Sequence, residues 1–224
     1  MALREIELKW EVAAIPDDVA RFIAEADLRY DRFWEAQGRR RFPRYVPSEP
    51  AQVYAALQQI LTGDLLLGRV FCEWGSGFGV ATGLAALLGY EAHGVEIEEQ
   101  LVDYARSLHE QCGIRATLIQ GSYFPEGYTS YSAWGGDQLI KDASSNYDAE
   151  ERAFSPRYEG MDYDLDEIDL FFAYPWPGEQ EMMLELFDTL AGDGALLLAY
   201  YGDENLCLYQ RIPGEDDDTE EQED

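Results

Sequence analysis

A chain of 224 residues, 46% of them hydrophobic and 5 of them Trp, has material for one packed domain and is not a disordered polymer. Its formal charge of -29 repels a phosphate backbone and disfavours a naked nucleic-acid substrate, whereas a basic protein, a polyamine or a neutral small molecule meets no such barrier. The 3 cysteines, Cys72, Cys112 and Cys207, have no CxxC spacing, and with only 2 histidines there is no zinc pattern, so no metal is expected and the thiols read as reduced core residues.

Residues 1–10 alternate charged and apolar side chains and lack the apolar run of a signal peptide; no stretch reaches the roughly 18 apolar residues of a membrane span. The expectation is a cytoplasmic protein without a membrane partner. From 17 to about 40, Val19, Phe22, Ile23, Ala26, Tyr30 and Phe33 recur at helical spacing, with Asp17 or Asp18 placed to cap the start. A second helix is expected from Ser48, as N-cap, to about Leu61. Between them lie Arg39, Arg40, Arg41 and Arg44, which read either as a grip for a carboxylate or as cations favoured at a helix C-terminus.

Strand and helix then alternate: strand 69–74, helix 79–88, strand 92–97, helix 98–112 and strand 115–120. A long stretch, 121–167, interrupts the rhythm; it has no clean period and is rich in Tyr, Ser, Gly and Asp. Its aromatics, Tyr123, Phe124, Tyr128, Tyr131, Trp134, Tyr147, Phe154 and Tyr158, could close over a substrate or cover the sheet edge. Strand 168–174, helix 179–191 and strand 195–201 follow, and the turn 202–205 sends strand 206–212 back antiparallel. The pattern predicts a three-layer α/β sandwich with a mostly parallel Rossmann-like sheet and an antiparallel C-terminal strand. Residues 1–64 read as a helical extension, 65–212 as the core with its 121–167 insertion, and 213–224 as a disordered acidic tail.

The chemistry concentrates in Glu73-Trp74-Gly75-Ser76-Gly77-Phe78-Gly79, where a strand ends, a helix opens and glycine falls at every second position. Such a reversal needs residues free of a Cβ, both for positive φ and for close backbone approach to a ligand. Val80 stands where the dinucleotide fingerprint has its third glycine, and Glu73 would repel a pyrophosphate while suiting an ammonium. Glu96, ending the second strand before Ile97, is placed to accept two ribose hydroxyls; the alternative is an exposed acid beside Glu98 and Glu99.

These residues resemble the class I S-adenosylmethionine-dependent methyltransferases, whose first motif is an acid, any residue, then Gly-x-Gly-x-Gly. The resemblance covers about 71–201. It implies S-adenosylmethionine as cofactor, with Glu73, Gly75, Ser76, Gly77 and Gly79 around its methionine part and Glu96 and Ile97 at the ribose. Gly121 and Ser122 would lie near the adenine, through the Ser122 hydroxyl or backbone groups with Tyr123 or Phe124 offering a ring face, and Tyr45 would reach the cofactor ahead of the core. Tyr174, Pro175 and Trp176, followed by Pro177, resemble a loose variant of the Asn/Asp-Pro-Pro-Tyr motif of amino-group methyltransferases, which implies a methyl-transfer pocket there. Ala173 and Tyr174 supply no Asn or Asp, and a Pro-rich join with buried rings is the other reading. His93 and His109 read as structural. The family usually carries a further helix and strand before its last strand, and the segment 206–212 leaves no room for them.

The function expected is methyl transfer to an amine of a basic protein or small molecule. A nucleotide-dependent oxidoreductase on a similar sheet, or a non-catalytic cofactor-binding interaction module, are the competing classes.

Overall fold

The computed structural model describes residues 2–8, 14–36, 45–125, 156–202 and 205–213. In chain order these form β1 (Leu3–Ile6), α1 (Asp17–Ala36), α2 (Pro50–Thr62), β2 (Val70–Trp74), α3 (Val80–Leu88), β3 (Glu91–Glu96), α4 (Glu99–Cys112) and β4 (Thr117–Gln120). A short 3-10 turn (Leu165–Glu167) leads into β5 (Leu170–Ala173), α5 (Gln180–Leu190), β6 (Leu196–Tyr200) and β7 (Leu206–Arg211). The strands make one sheet in the order β1-β7-β6-β5-β2-β3-β4. The five strands from β6 to β4 in that order are paired parallel, and β7 runs antiparallel to both β6 and β1.

Strands β5 and β6 are apolar along almost their whole length, and β2 departs only at Glu73, because helices cover both faces. On one face α1, α2 and α3 bury Phe22, Leu57, Ile60 and Leu84 against Phe71, Phe172 and Leu198. On the other, Leu186 and Phe187 of α5 meet Cys72, Phe171 and Leu197, and Tyr158, Met161 and Leu165 of the long insertion join them. That part of the insertion is core, closed by a reciprocal cap in which the Asp164 N–H donates to the Glu167 carboxylate at 2.9 Å.

Several expectations are revised. A strand not expected from the sequence, β1, comes from the other end of the chain and pairs with β7 in the register Leu3 to Arg211 and Ile6 to Leu208. The sheet therefore reaches into the segment read as purely helical, and the Ile212 N–H to Ala2 carbonyl bond of 2.8 Å extends the pairing. Glu49, not Ser48, occupies the N-cap of α2, because Pro50 enters the first turn, where its missing N–H costs nothing. Asp17 and Asp18 lie inside the first turn of α1, where negative charge suits the helix dipole. The Arg39 to Arg44 group, the aromatics between 126 and 155 and the acidic tail lie outside the described residues. No described helix is long and apolar enough to cross a membrane.

Candidate active site

The turn from β2 into α3 stands at the carboxyl edge of the parallel strands, where open sheets of this kind hold ligands. The N–H groups of Gly75 and Ser76 both donate to the Val95 carbonyl at 2.9 Å, tying the turn to the end of β3. Gly75 has φ 74°, and a β-carbon there would meet nothing within 4 Å, so the position opens onto free space. Gly77, at φ 52°, is different: a β-carbon would run into the Tyr45 ring, which stacks on Phe78 with centroids 5.1 Å apart.

Two buried carboxylates and one imidazole hold this turn. Glu73 Oε2 accepts the Thr82 N–H at 2.7 Å and the Thr82 hydroxyl at 2.5 Å, so it caps the first turn of α3. Burial pushes its carboxyl up to about 8, against the two Thr82 bonds and with Glu96 adding to the rise. Glu96, only 7% exposed, uses both oxygens: Oε2 accepts the Gly77 N–H and Oε1 the Glu98 N–H, each at 2.9 Å. Its carboxyl is raised too, first by burial, with the Glu98 and Gly77 amides opposing. The exposed-acid alternative is thereby removed, and the carboxylate, held by these amides, stands on the wall of a cavity. His109 Nε2 lies 2.8 Å from the Gly79 carbonyl, which can only accept, so the ring carries its proton on Nε2. Burial lowers the His109 pKa and keeps the ring neutral.

Two cavities flank the turn. The first, about 300 Å³, is lined by Glu96, Ile97 and Leu101 on one side and by Ser122, Tyr123 and Phe124 on another; Trp74, Pro175, Trp176, Glu179 and Met183 complete it. The second, about 410 Å³, lies between the turn and α1 and reaches Glu73, Ser76, Phe78 and Phe172. Tyr45, Val46, Gly75 and Tyr174 line both, so the cavities meet there. No Lys, Arg or His is among the described residues lining either one.

Of the residues singled out in the sequence, Tyr45, Gly75, Glu96, Ile97, Ser122, Tyr174, Pro175 and Trp176 gather around the first cavity, and Glu73 and Ser76 face the second. Gly77, Gly79 and Gly121 line neither. Gly77 gives room to Tyr45, Gly79 is held by His109, and Gly121 donates its N–H to the Glu96 carbonyl at 2.9 Å. The Ser122 hydroxyl accepts the Phe124 N–H at 3.1 Å and shapes that corner. Tyr174 sets its ring edge-on to Tyr200 with centroids 4.8 Å apart. Pro175 is buried and Trp176 half-buried, so the Pro-rich join and the pocket wall are one feature.

Sequence reasoning missed Trp74, Val46, Glu98, Leu101, Glu179 and Met183. Trp74 occupies the variable position of the glycine motif and packs on Phe171 at 4.7 Å, a contact that only the sheet creates.

No protein-family model matches the chain, and no curated protein aligns with it by sequence. Solved structures do match the fold. A methyltransferase from Geobacter sulfurreducens superposes with a TM-score of 0.52 at 14% identity, covering 89% of this chain and 93% of the other. An RNA methyltransferase from Salinibacter ruber, crystallised with S-adenosyl-L-homocysteine, gives a TM-score of 0.49 at 16% identity over 77% of this chain and 97% of the other. At such identity the first likeness establishes a shared Rossmann-like α/β fold.

Proposed function

We propose that this protein is an S-adenosylmethionine-dependent methyltransferase acting on an amine. The observation that carries the reading is the chemistry of the two joined cavities: buried carboxylates and aromatic rings, with no cation among their described lining residues. A pyrophosphate cofactor would find no cation to pair with among the described lining residues, which argues against a nicotinamide enzyme. A cofactor bearing a sulfonium and an ammonium fits the same lining. The open space at Gly75 admits it against the turn, and Glu96, on the cavity wall, is an acceptor within reach of its ribose hydroxyls.

When bound, the cofactor supplies an electrophilic methyl group. The protein's part is to orient and to exclude water. Glu96 would hold the ribose, Ile97 and Leu101 would pack on the adenine, and Glu73 would face the ammonium. Tyr174, at the junction of the cavities, would border the reacting centre. Positioning of this kind supplies most of the acceleration in a displacement that needs little acid or base help. An acid-lined site disfavours phenolate, thiolate and carboxylate nucleophiles, whereas an amine attacks as a neutral molecule and leaves as a cation.

Calorimetric titration with S-adenosylmethionine and S-adenosylhomocysteine, with NAD as control, tests the reading. Micromolar binding, about 8 kcal/mol, is expected for the first two and none for NAD. Binding of NAD alone would replace the methyltransferase by the oxidoreductase alternative; cofactor binding without transfer to any amine would leave an interaction module.

A further inference from the structure

We infer that the second cavity is the acceptor chamber and that its occupant is a small amine carrying an apolar body, an inference that rests on the methyltransferase reading. The amino-acid tail of the cofactor needs only the end of this cavity beside Glu73, Gly75 and Ser76. Its 410 Å³ is also lined by Ile23, Ala26 and Tyr30 of α1 and by the Pro47–Ala51 segment. Its described lining combines aromatic and aliphatic side chains with the carboxylates of Asp27, Glu49 and Glu73, a combination that selects a ligand with both charge and apolar bulk.

Of the acidic lining residues, Asp27 of α1 and Glu49 at the N-cap of α2 are exposed, whereas Glu73 is buried. Partial burial, with Asp31 adding repulsion, holds the Asp27 carboxyl above its usual range, so a cation arriving there is favoured. The rings of Tyr30, Tyr45 and Tyr174 can face an ammonium as it passes inward. A lysine side chain presented by a folded protein is a thin thread and would leave those walls without contact partners. A ring or branched aliphatic body covers them, and protein sites of this size are filled closely.

The chemistry closes without a further reactant. The ammonium gives one proton to solvent to become the neutral amine. Its nitrogen lone pair then forms the new carbon–nitrogen bond as the carbon–sulfur bond breaks, its electron pair going to sulfur. One positive charge passes from sulfur to nitrogen, so the carboxylates face a cation before and after transfer. They recruit and orient the acceptor and do not accelerate the chemical step.

The test uses the full chain with phenethylamine and spermidine as small-amine probes and hen lysozyme as a basic protein, each with methyl-labelled cofactor. Label on phenethylamine above spermidine, and none on lysozyme, is expected. D27N/E49Q should raise the KM for phenethylamine about tenfold, leave kcat within twofold and leave cofactor Kd unchanged. A second measurement, phenethylamine binding to the protein loaded with S-adenosylhomocysteine, needs no turnover and should weaken in the same proportion. Label on lysozyme alone, or an unchanged KM and Kd for phenethylamine in the double variant, overturns the chamber while cofactor binding keeps the parent reading. Failure of the cofactor itself to bind overturns both.

Discussion

The two walls that meet at Gly75 are held by different forces. On the turn side, directional bonds fix the backbone: Gly77 and Glu98 donate to Glu96, Thr82 donates to Glu73, and His109 donates to Gly79. On the α1 side Arg29 donates to Ser107 and Gln111 of α4, but the packing beside the turn is of rings: Tyr30 on Tyr45 at 5.9 Å, Phe33 on Phe78 at 5.3 Å and Tyr45 on Phe78 at 5.1 Å. A bonded wall admits one geometry, because each displaced amide or carboxylate would be left buried and unpaired. A wall of ring contacts can slide by fractions of an ångström at small cost. The first suits an invariant cofactor and the second an acceptor that has to enter and leave.

Gly77 is where the walls touch, so it offers the strongest way to break the distinction. Gly77→Ala places a methyl group against the Tyr45 ring at φ 52°. The left-handed strain and the overpacking together should cost about 2–4 kcal/mol in denaturant unfolding, and cofactor affinity should fall about 100-fold. An alanine variant with wild-type stability and affinity would mean that Tyr45 yields freely and that the walls are independent.

A smaller effect separates the bonds from the charge. Glu96→Ala removes both acceptors for the Gly77 and Glu98 amides and should cost about 1–3 kcal/mol, with cofactor affinity lowered about 30-fold. Glu96→Gln keeps one good acceptor oxygen and should lose about half of that in free energy. If calorimetry finds Gln and Ala equally poor, the negative charge outweighs the hydrogen-bonding geometry; if Ala binds as tightly as wild type, Glu96 is not part of the site.

The contrast also explains what could be read from the chain alone. The turn, its flanking elements and Glu96 follow one another within β2, α3 and β3, so glycine spacing and strand ends reveal them. The opposite wall is tertiary. Asp27, Tyr30 and Val46 carry no motif and reach the site only because α1 packs over the sheet. Strand β1 has four residues and a partner at the far end of the chain, beyond any local pattern. His109 bonds Gly79 from 30 residues away, and nothing in its own helix signals that reach. Even inside the motif, the role of Gly77 was legible only in part. Its positive φ could be expected, but the ring pressed against it could not.

The least disruptive probe changes pH rather than sequence, and it reads the turn side alone. Glu73 carries its proton in the folded protein up to about 8, whereas in the unfolded chain it ionises near 4.5. The folded state therefore binds more protons between those values, and the stability contributed by this group is fully present below pH 4.5 and lost as pH rises through about 8. His109 has the opposite sign: its lowered pKa makes its contribution complete above pH 6.5 and lost as pH falls through the folded value. Raising the pH from 6 to 9 should thus lower the unfolding free energy by about 1–2 kcal/mol, and Glu73→Gln should flatten that slope while leaving the acid limb in place. A bound ammonium reverses the preference of Glu73, so cofactor binding at pH 7 should release up to about one proton, measurable as the dependence of binding enthalpy on the buffer's ionisation enthalpy. Equal proton release by wild type and Glu73→Gln would place the ammonium away from Glu73 and leave that carboxyl as a cap for α3 only.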